Sequence, residues 1–320
     1  MSIGLNDEQR TLASTIAEWA ASADLPELVR GSAEQGTSDF ERVWKQLAEL
    51  GVPSIAEHGT FVDAAVAVEA CARAMVPGPV SPTVLAGFVS PVKGIDDGSV
   101  RVAVALPNGV VWGEGTHVLT ADGVLPFAET PVAPFDLATR VAASTYPPVS
   151  GRVLQVATVL AAAEASGIAH WALETAVSYA KVREQFGRTI GSFQSIKHLC
   201  AEMLERAESA TAVAWDAASA YDDDPEQFEL AATAAAAVAL EAAVHNVQAC
   251  IQVLGGIGFT WEHDAHLYLR RAMSLRQLFG GTDAWLVDLA DQALTGVRRQ
   301  TRIATDDAPE TRAEVRALLA

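Results

Sequence analysis

The sequence predicts a mainly α-helical chain with one small β unit between two helical regions. Three observations carry this. Apolar residues recur at helical spacing from residue 6 to about 80, and short β-prone stretches separated by turn residues fill roughly 80–150. Long Ala-rich runs with brief breaks then continue to about 300. The implied division is 1–80 helical, 81–150 β, 151–300 a helical bundle and 301–320 a polar tail.

Each element has a local reason. Asn6 is placed to cap a first helix, with Gln9 closing a capping box, and Leu5, Leu12, Ile16 and Trp19 keep the helical period. A second helix is predicted near 39–50 (Phe40, Val43, Trp44, Leu47, Leu50), stopping at Gly51, and a third over 61–75, ending before Pro77-Gly78-Pro79. The runs 100–106, 110–112, 117–120 and 124–125 read as strands of a small antiparallel sheet, with Pro107-Asn108-Gly109, Gly113-Glu114-Gly115 and Asp122-Gly123 as turns. Bundle helices are predicted near 150–182, 192–221, 226–255, 263–277 and 283–300. Ser192 is placed to cap the second of these, and Pro225 to open the third as its first helical residue.

Composition narrows the function. Half the chain is hydrophobic, which suits a folded core, and the formal charge of −18 excludes binding through nucleic-acid phosphates or an anionic membrane surface. The start, Met1 to Asn6, lacks a basic stretch leading into an apolar core, and the Ala-rich run 231–244 is short for a membrane span. Cys71, Cys200 and Cys250 show no paired spacing, so reduced thiols in the cytoplasm are expected. His263 and His266, with Glu262 and Asp264 beside them, have a spacing that suits metal binding, but no third ligand group accompanies them; a solvated helix start is the plainer reading.

Two segments carry chemistry. Gln252-Val253-Leu254-Gly255-Gly256-Ile257-Gly258-Phe259 follows a helical run rather than a strand, so its glycines are not the turn of a dinucleotide-binding βαβ unit. Paired glycines there remove the Cβ atoms that hold a backbone away from a ligand. The second is Arg183-Glu184-Gln185-Phe186-Gly187-Arg188 with Phe193-Gln194. In register, the two resemble the flavin-contacting signatures of the acyl-CoA dehydrogenase family, and the order helices, sheet, bundle resembles that family's fold.

The resemblance implies FAD, with the bundle of one subunit gripping the adenine and pyrophosphate half of a neighbour's cofactor. Arg183 matches the pyrophosphate-binding arginine, Phe186 the aromatic beside it, Gln194 the family's Phe-Gln glutamine, and Gln252, Val253, Leu254, Gly255 and Gly256 the Gln-x-x-Gly-Gly segment. Thr282 matches the threonine of the Gly-Thr pair that follows the catalytic base. A thioester α-carbon is weakly acidic, so a positioned base is essential. In most of the family that base is a Glu at the position of Gly280, and in a minority at the position of Ala157; both positions are empty here. Asp283 and Glu164 are the nearest acids, although an N-cap made by Thr282 with Asp283 is the ordinary reading of that stretch. Arg271 matches the arginine of an Arg-Asp pair whose acid is replaced by Ala272.

The family's own flavin-ring motifs, Thr-Glu-Pro-x-x-Gly-Ser-Asp and Trp-Ile-Thr, do not occur between 80 and 150. The resemblance therefore implies a subunit of a heteromeric acyl-CoA dehydrogenase, an α2β2 tetramer, whose partner subunit supplies the base. The string Gly258 to Leu267 resembles the steroid-degrading members, which implies a bulky, steroid-derived acyl-CoA substrate, with electron-transfer flavoprotein as acceptor. A self-sufficient homo-oligomer with a relocated base such as Asp283, and a flavin-free assembly protein, stay open. The apolar faces carrying Val153, Leu154, Leu160, Ile168 and Trp171, with the 231–244 run, are expected to pack against a partner.

Overall fold

The computed structural model describes residues 4–35, 40–129 and 135–299. The predicted tail lies outside the described residues. Helices α1 (Asp7–Ala21), α2 (Leu25–Gln35), α3 (Phe40–Glu49), α4 (Phe61–Arg73) and α5 (Val80–Val89) lead into strands β1 (Val102–Leu106), β2 (Val110–Trp112), β3 (His117–Thr120), β4 (Gly123–Pro126) and β5 (Val141–Ala143). Then come α6 (Gly151–Val182), a hairpin of β6 (Glu184–Gln185) and β7 (Arg188–Thr189), and α7 (Gln194–Asp223), α8 (Phe228–Leu254), α9 (Ala265–Leu278) and α10 (Thr282–Leu294).

The predicted capping box is made: Gln9 N donates to Asn6 Oδ1 at 2.8 Å and Asn6 N to Gln9 Oε1 at 3.1 Å. Two helices escaped the sequence reading. In α2, Pro26 and Gly31 dilute the helical signal; α5 is mostly apolar on all sides, with Pro82 in its first turn. Thr83 fixes α5 to the sheet, donating to Val102 O at 3.3 Å and accepting from Val102 N at 3.0 Å.

The sheet is mixed rather than antiparallel. Its order is β4-β3-β1-β2-β5, with β1 and β3 parallel (Val102↔His117) and the other pairs antiparallel. The tight turn Pro107-Asn108-Gly109 folds β2 back along one edge of β1, so the chain reaches the other edge as β3 running in β1's direction. Alternation divides the faces. Val102, Val104, Leu106, Trp112 and Leu119 join the main core, while Ala103, Ala105, Val111, Val118 and Ala142 form a small second core with Phe127 and Tyr146.

The main core centres on α6, which packs against α4, α7 and α8. Asn246 ties three of these helices, its Nδ2 donating to Ala169 O at 3.2 Å and Met203 O at 2.8 Å. Gly167 lets α4 and α6 touch: a Cβ there would lie 2.2 Å from Glu69 O. Cys71 and Cys250 are buried in this core, whereas Cys200 is half-buried.

Three local expectations change. Ser192 does not cap α7; its hydroxyl donates back to Thr189 O at 2.7 Å, and α7 begins after Phe193 without a side-chain cap. Pro225 lies in a turn before α8, which begins after Gln227 with no side-chain cap bond. The third change is larger. Leu160, Ile168 and most of 231–244 are buried within the chain, and Val153, Leu154 and Trp171 pack against the same core, so those faces are not a free docking surface. Helix α6 and the continuous stretch Phe228–Phe259 are long and apolar enough to span a bilayer, but their most apolar windows are 89% and 78% buried inside the fold.

Candidate functional site

Arg183 ends α6 in an extended conformation and opens the β6–β7 hairpin. The two-residue turn is Phe186-Gly187, with φ of +55° and +76°. Glycine takes the left-handed region freely, but a bulky aromatic there is strained. Phe186 is nonetheless 92% exposed, so its own core does not hold it in place. Its ring meets Phe193 edge-on at 6.1 Å, and Arg188 stacks over Phe193 at 4.1 Å. Arg183 is exposed and forms no ion pair among the described residues, so the bridge to Glu184 that would explain it structurally is not made. Gln194 begins α7, its amide nitrogen 3.0 Å from His198 Nε2.

Helix α8 ends at a cleft it shares with the last turns of α6. Gln252 is exposed, while Val253 and Leu254 are buried in the core. Gly255 (φ +64°) breaks the helix, and a Cβ at Gly255 or Gly256 would meet nothing within 4 Å. The following turn leaves Ile257 and Phe259 exposed. Tyr179 and Leu254 line one open cleft of about 480 Å³, with Trp171 and His263 among its walls, which sets the last turns of α6 and α8 side by side.

Arg183, Phe186 and Gln194 follow the end of α6, and Gln252, Gly255 and Gly256 lie at the end of α8; all six are exposed. An uncommitted guanidinium fork, a projecting planar ring and a Cβ-free backbone fit the pyrophosphate and adenine of FAD approaching from outside the chain.

Thr282 does not join these residues. It donates to Glu241 Oε2 at 2.7 Å, and Glu241 also receives Arg276 Nη1 at 3.1 Å and lies 3.0 Å from His245 Nδ1. Glu241 precedes Gln252 on α8 by roughly 16 Å at the helical rise, so the two groups are well apart. Thr282 is also not the predicted cap: α10 starts after Gly281 with no side-chain cap bond. Gly280 and Gly281 have φ of +89° and +79°, with open space where side chains would stand. Ala157 is fully buried in α6, and Asp283 is exposed in the first turn of α10.

Glu164 is accounted for differently. It and Arg271 are 2% and 1% exposed, and Arg271 Nε and Nη2 donate to Glu164 Oε2 at 3.1 and 3.0 Å. Arg271 Nη1 donates to Val76 O at 3.1 Å, and Ser81 donates to Glu164 Oε1. Burial pulls the Arg271 pKa down, but Glu164 and Asp136 outweigh it and hold the guanidinium above its ordinary value. The ion pair missing at Ala272 is therefore rebuilt from α6, which commits Glu164 to structure. The one available signal was an acid inside the alanine run Ala161–Ala165. Nearby, burial pushes Asp136 up to about 6 against the pull of Arg271.

The two histidines have local roles. His263 Nδ1 accepts from Ala265 N at 3.1 Å at the start of α9, and His266 stacks on Trp261 at 4.2 Å. Burial lowers both pKa values. Among the described residues no group of three His, Cys, Asp or Glu side chains could hold a metal ion.

Comparison with known proteins shows the family. Residues 148–295 match the family model described as acyl-CoA dehydrogenase, C-terminal domain. The chain is 38% identical over 370 residues to the acyl-CoA dehydrogenase FadE34 of Mycobacterium tuberculosis, covering 99% of this chain but only 52% of that relative. To the acyl-CoA dehydrogenase IpdE2 of the same organism it is 34% identical over 302 residues, covering 85% of this chain and 93% of IpdE2. Among solved structures, the Tcur3481-Tcur3483 steroid ACAD variant superposes with a TM-score of 0.74 at 24% identity, covering 91% of this chain and 98% of that one. A chain of the ChsE4-ChsE5 complex from Mycobacterium tuberculosis does so at 0.75 and 19%, covering 93% and 100%. The chain belongs to the acyl-CoA dehydrogenase family of oxidoreductases, whose cofactor is FAD.

Proposed function

We propose that this chain is one subunit of a heteromeric, FAD-dependent acyl-CoA dehydrogenase that introduces an α,β double bond into a bulky, steroid-derived acyl-CoA. One observation carries the reading. Arg183, Phe186, Gln194, Gln252, Gly255 and Gly256, all matched to FAD binding, are exposed, while both positions where the family keeps its base, Gly280 and Ala157, offer no proton acceptor. Such a chain can complete a neighbour's cofactor site but cannot take an α-proton itself. Asp283 is exposed at a helix start, and Glu164 is locked on Arg271, so neither favours a self-sufficient enzyme.

In this reading Arg183 binds the cofactor's pyrophosphate through its fork, Gly255 and Gly256 admit the nucleotide to backbone distance, and Phe186 packs beside it. When bound, FAD supplies the acceptor for the β-hydride. The partner subunit supplies the base that removes the α-proton, and electrons leave to electron-transfer flavoprotein. Support for a partner comes from likeness to chains of two-protein assemblies, and support for a steroid substrate from a structural neighbour described as a steroid ACAD. FadE34 adds to this, because nearly half of that protein lies beyond the match, room for a second chain of similar size in one polypeptide.

The test is the visible flavin absorbance of the chain purified alone and after co-expression with an acyl-CoA dehydrogenase partner. Colour only in the complex supports the proposal. A yellow, active chain on its own would show a self-sufficient enzyme, and no colour in either preparation an assembly protein.

A further inference from the structure

Helix α10 holds an apolar stripe that nothing among the described residues covers. Leu286, Val287 and Leu294 are 50%, 59% and 85% exposed, and Val297 continues the row just past the helix end. At the helical period Leu286, Val287 and Leu294 share one face of α10. The opposite face docks on the rest of the chain, Trp285 Nε1 donating to Phe279 O at 2.7 Å and Gln292 Nε2 to Thr233 Oγ1 at 3.1 Å. No residue of α10 is fully buried. A helix apolar on both faces is normally covered on both.

The charges around the stripe select what covers it. Between Thr282 and Leu294 the helix has no Lys or Arg, and Asp283, Asp288 and Asp291 are all exposed. The described basic groups just beyond it are committed elsewhere: Arg298 turns back onto the carbonyls of Ala293 and Val297, and Arg299 pairs with Asp216 at 2.8 Å. A second copy would bring acid to acid on a chain already at −18. A different polypeptide with an apolar strip flanked by Lys or Arg meets both the face and its rim.

We propose that the outer face of α10 is the surface on which a different subunit docks, through an apolar strip bordered by basic side chains. This rests on the reading of the chain as part of a heteromer, and it adds where the partner sits and which charge it brings.

The experiment co-expresses the full-length chain with each acyl-CoA dehydrogenase of its own genome and measures heteromer mass and affinity by light scattering and sedimentation. Two variants are compared with the wild type: Leu286→Glu with Leu294→Glu, and Asp288→Lys with Asp291→Lys. All four side chains are exposed, so the thermal melt of the chain alone should not move. Each variant is expected to weaken the heteromer on the order of tenfold or more. Added salt should weaken the wild-type complex as well. A heteromer that ignores both variants overturns the α10 surface and leaves the heteromeric reading standing. Failure of the wild type to bind any such chain overturns both. A wild-type homodimer dissolved by the leucine variant would show that the occupant is a second copy.

Discussion

At the scale of single residues, the site reading rests on Arg183, whose guanidinium has no ion pair among the described residues. Charge-assisted contacts to phosphate contribute about 1.5–3 kcal/mol each. Arg183→Ala in the assembled complex should therefore weaken FAD retention about tenfold to a hundredfold, measured by flavin occupancy after dialysis. Arg183→Lys should recover only part, because a point charge lacks the fork. Glu164 should behave in the opposite manner. Glu164→Ala leaves Arg271 buried and unpaired, which costs about 3–5 kcal/mol of stability in denaturant titration. If the variant folds normally but loses turnover in the complex, the assignment of Glu164 to structure is wrong. Glu69 supplies a pH signature. Burial raises its pKa from 4.5 to about 7, despite hydrogen bonds from Trp215 and Ser166 and the nearby Arg73. The folded chain then keeps a proton that the unfolded chain has already released. Glu69's contribution is complete below pH 4.5, falls as pH rises to about 7, and is flat above that. Thermal melts across this window should show the decline, and Glu69→Gln should remove it.

At the scale of elements, the sequence showed what local rules control. The Asn6–Gln9 box and the long bundle helices were legible because capping and a 3.6-residue period act within one turn. The parallel β1–β3 pair was not, since pairing across a hairpin depends on where the chain crosses rather than on either strand's residues. The same holds for the site. Arg183 and Gln252 could be named from their motifs, but the separation of Thr282 from them, and the capture of Glu164 by Arg271, arise from packing between distant elements. Gly167 tests the tightest of these contacts. With a Cβ 2.2 Å from Glu69 O, Gly167→Ala must push α4 from α6, an overpacking cost of about 1–3 kcal/mol. A thermal midpoint equal to wild type would show that the helices give way without strain.

At the scale of the whole molecule, the bundle helices that looked like assembly surfaces in the sequence are instead the chain's own core, and the apolar residues left outside lie at its edges. Phe186 and Phe259 stand on the proposed cofactor segments and Leu294 on α10. Periodicity reports which face of a helix is apolar, not which neighbour covers it. The heteromeric reading makes a plain catalytic forecast. The isolated chain should show no acyl-CoA dehydrogenase activity with an artificial electron acceptor, for want of a base at Gly280 or Ala157. Turnover by the chain alone, abolished by Asp283→Ala, would place the base on α10 and make the partner dispensable.

The buried cysteines give this core a chemical clock. Cys71 and Cys250 are sealed in the helical core, and burial pushes both thiols up to about 12, so almost no thiolate exists in the native chain near neutral pH. Only half-buried Cys200 should react with a thiol reagent while the fold is closed. The later modification of the other two would then time the opening of the core. Cys71 lies close to the Arg271–Glu164 pair, so a variant that loosens that pair should label Cys71 sooner than Cys250.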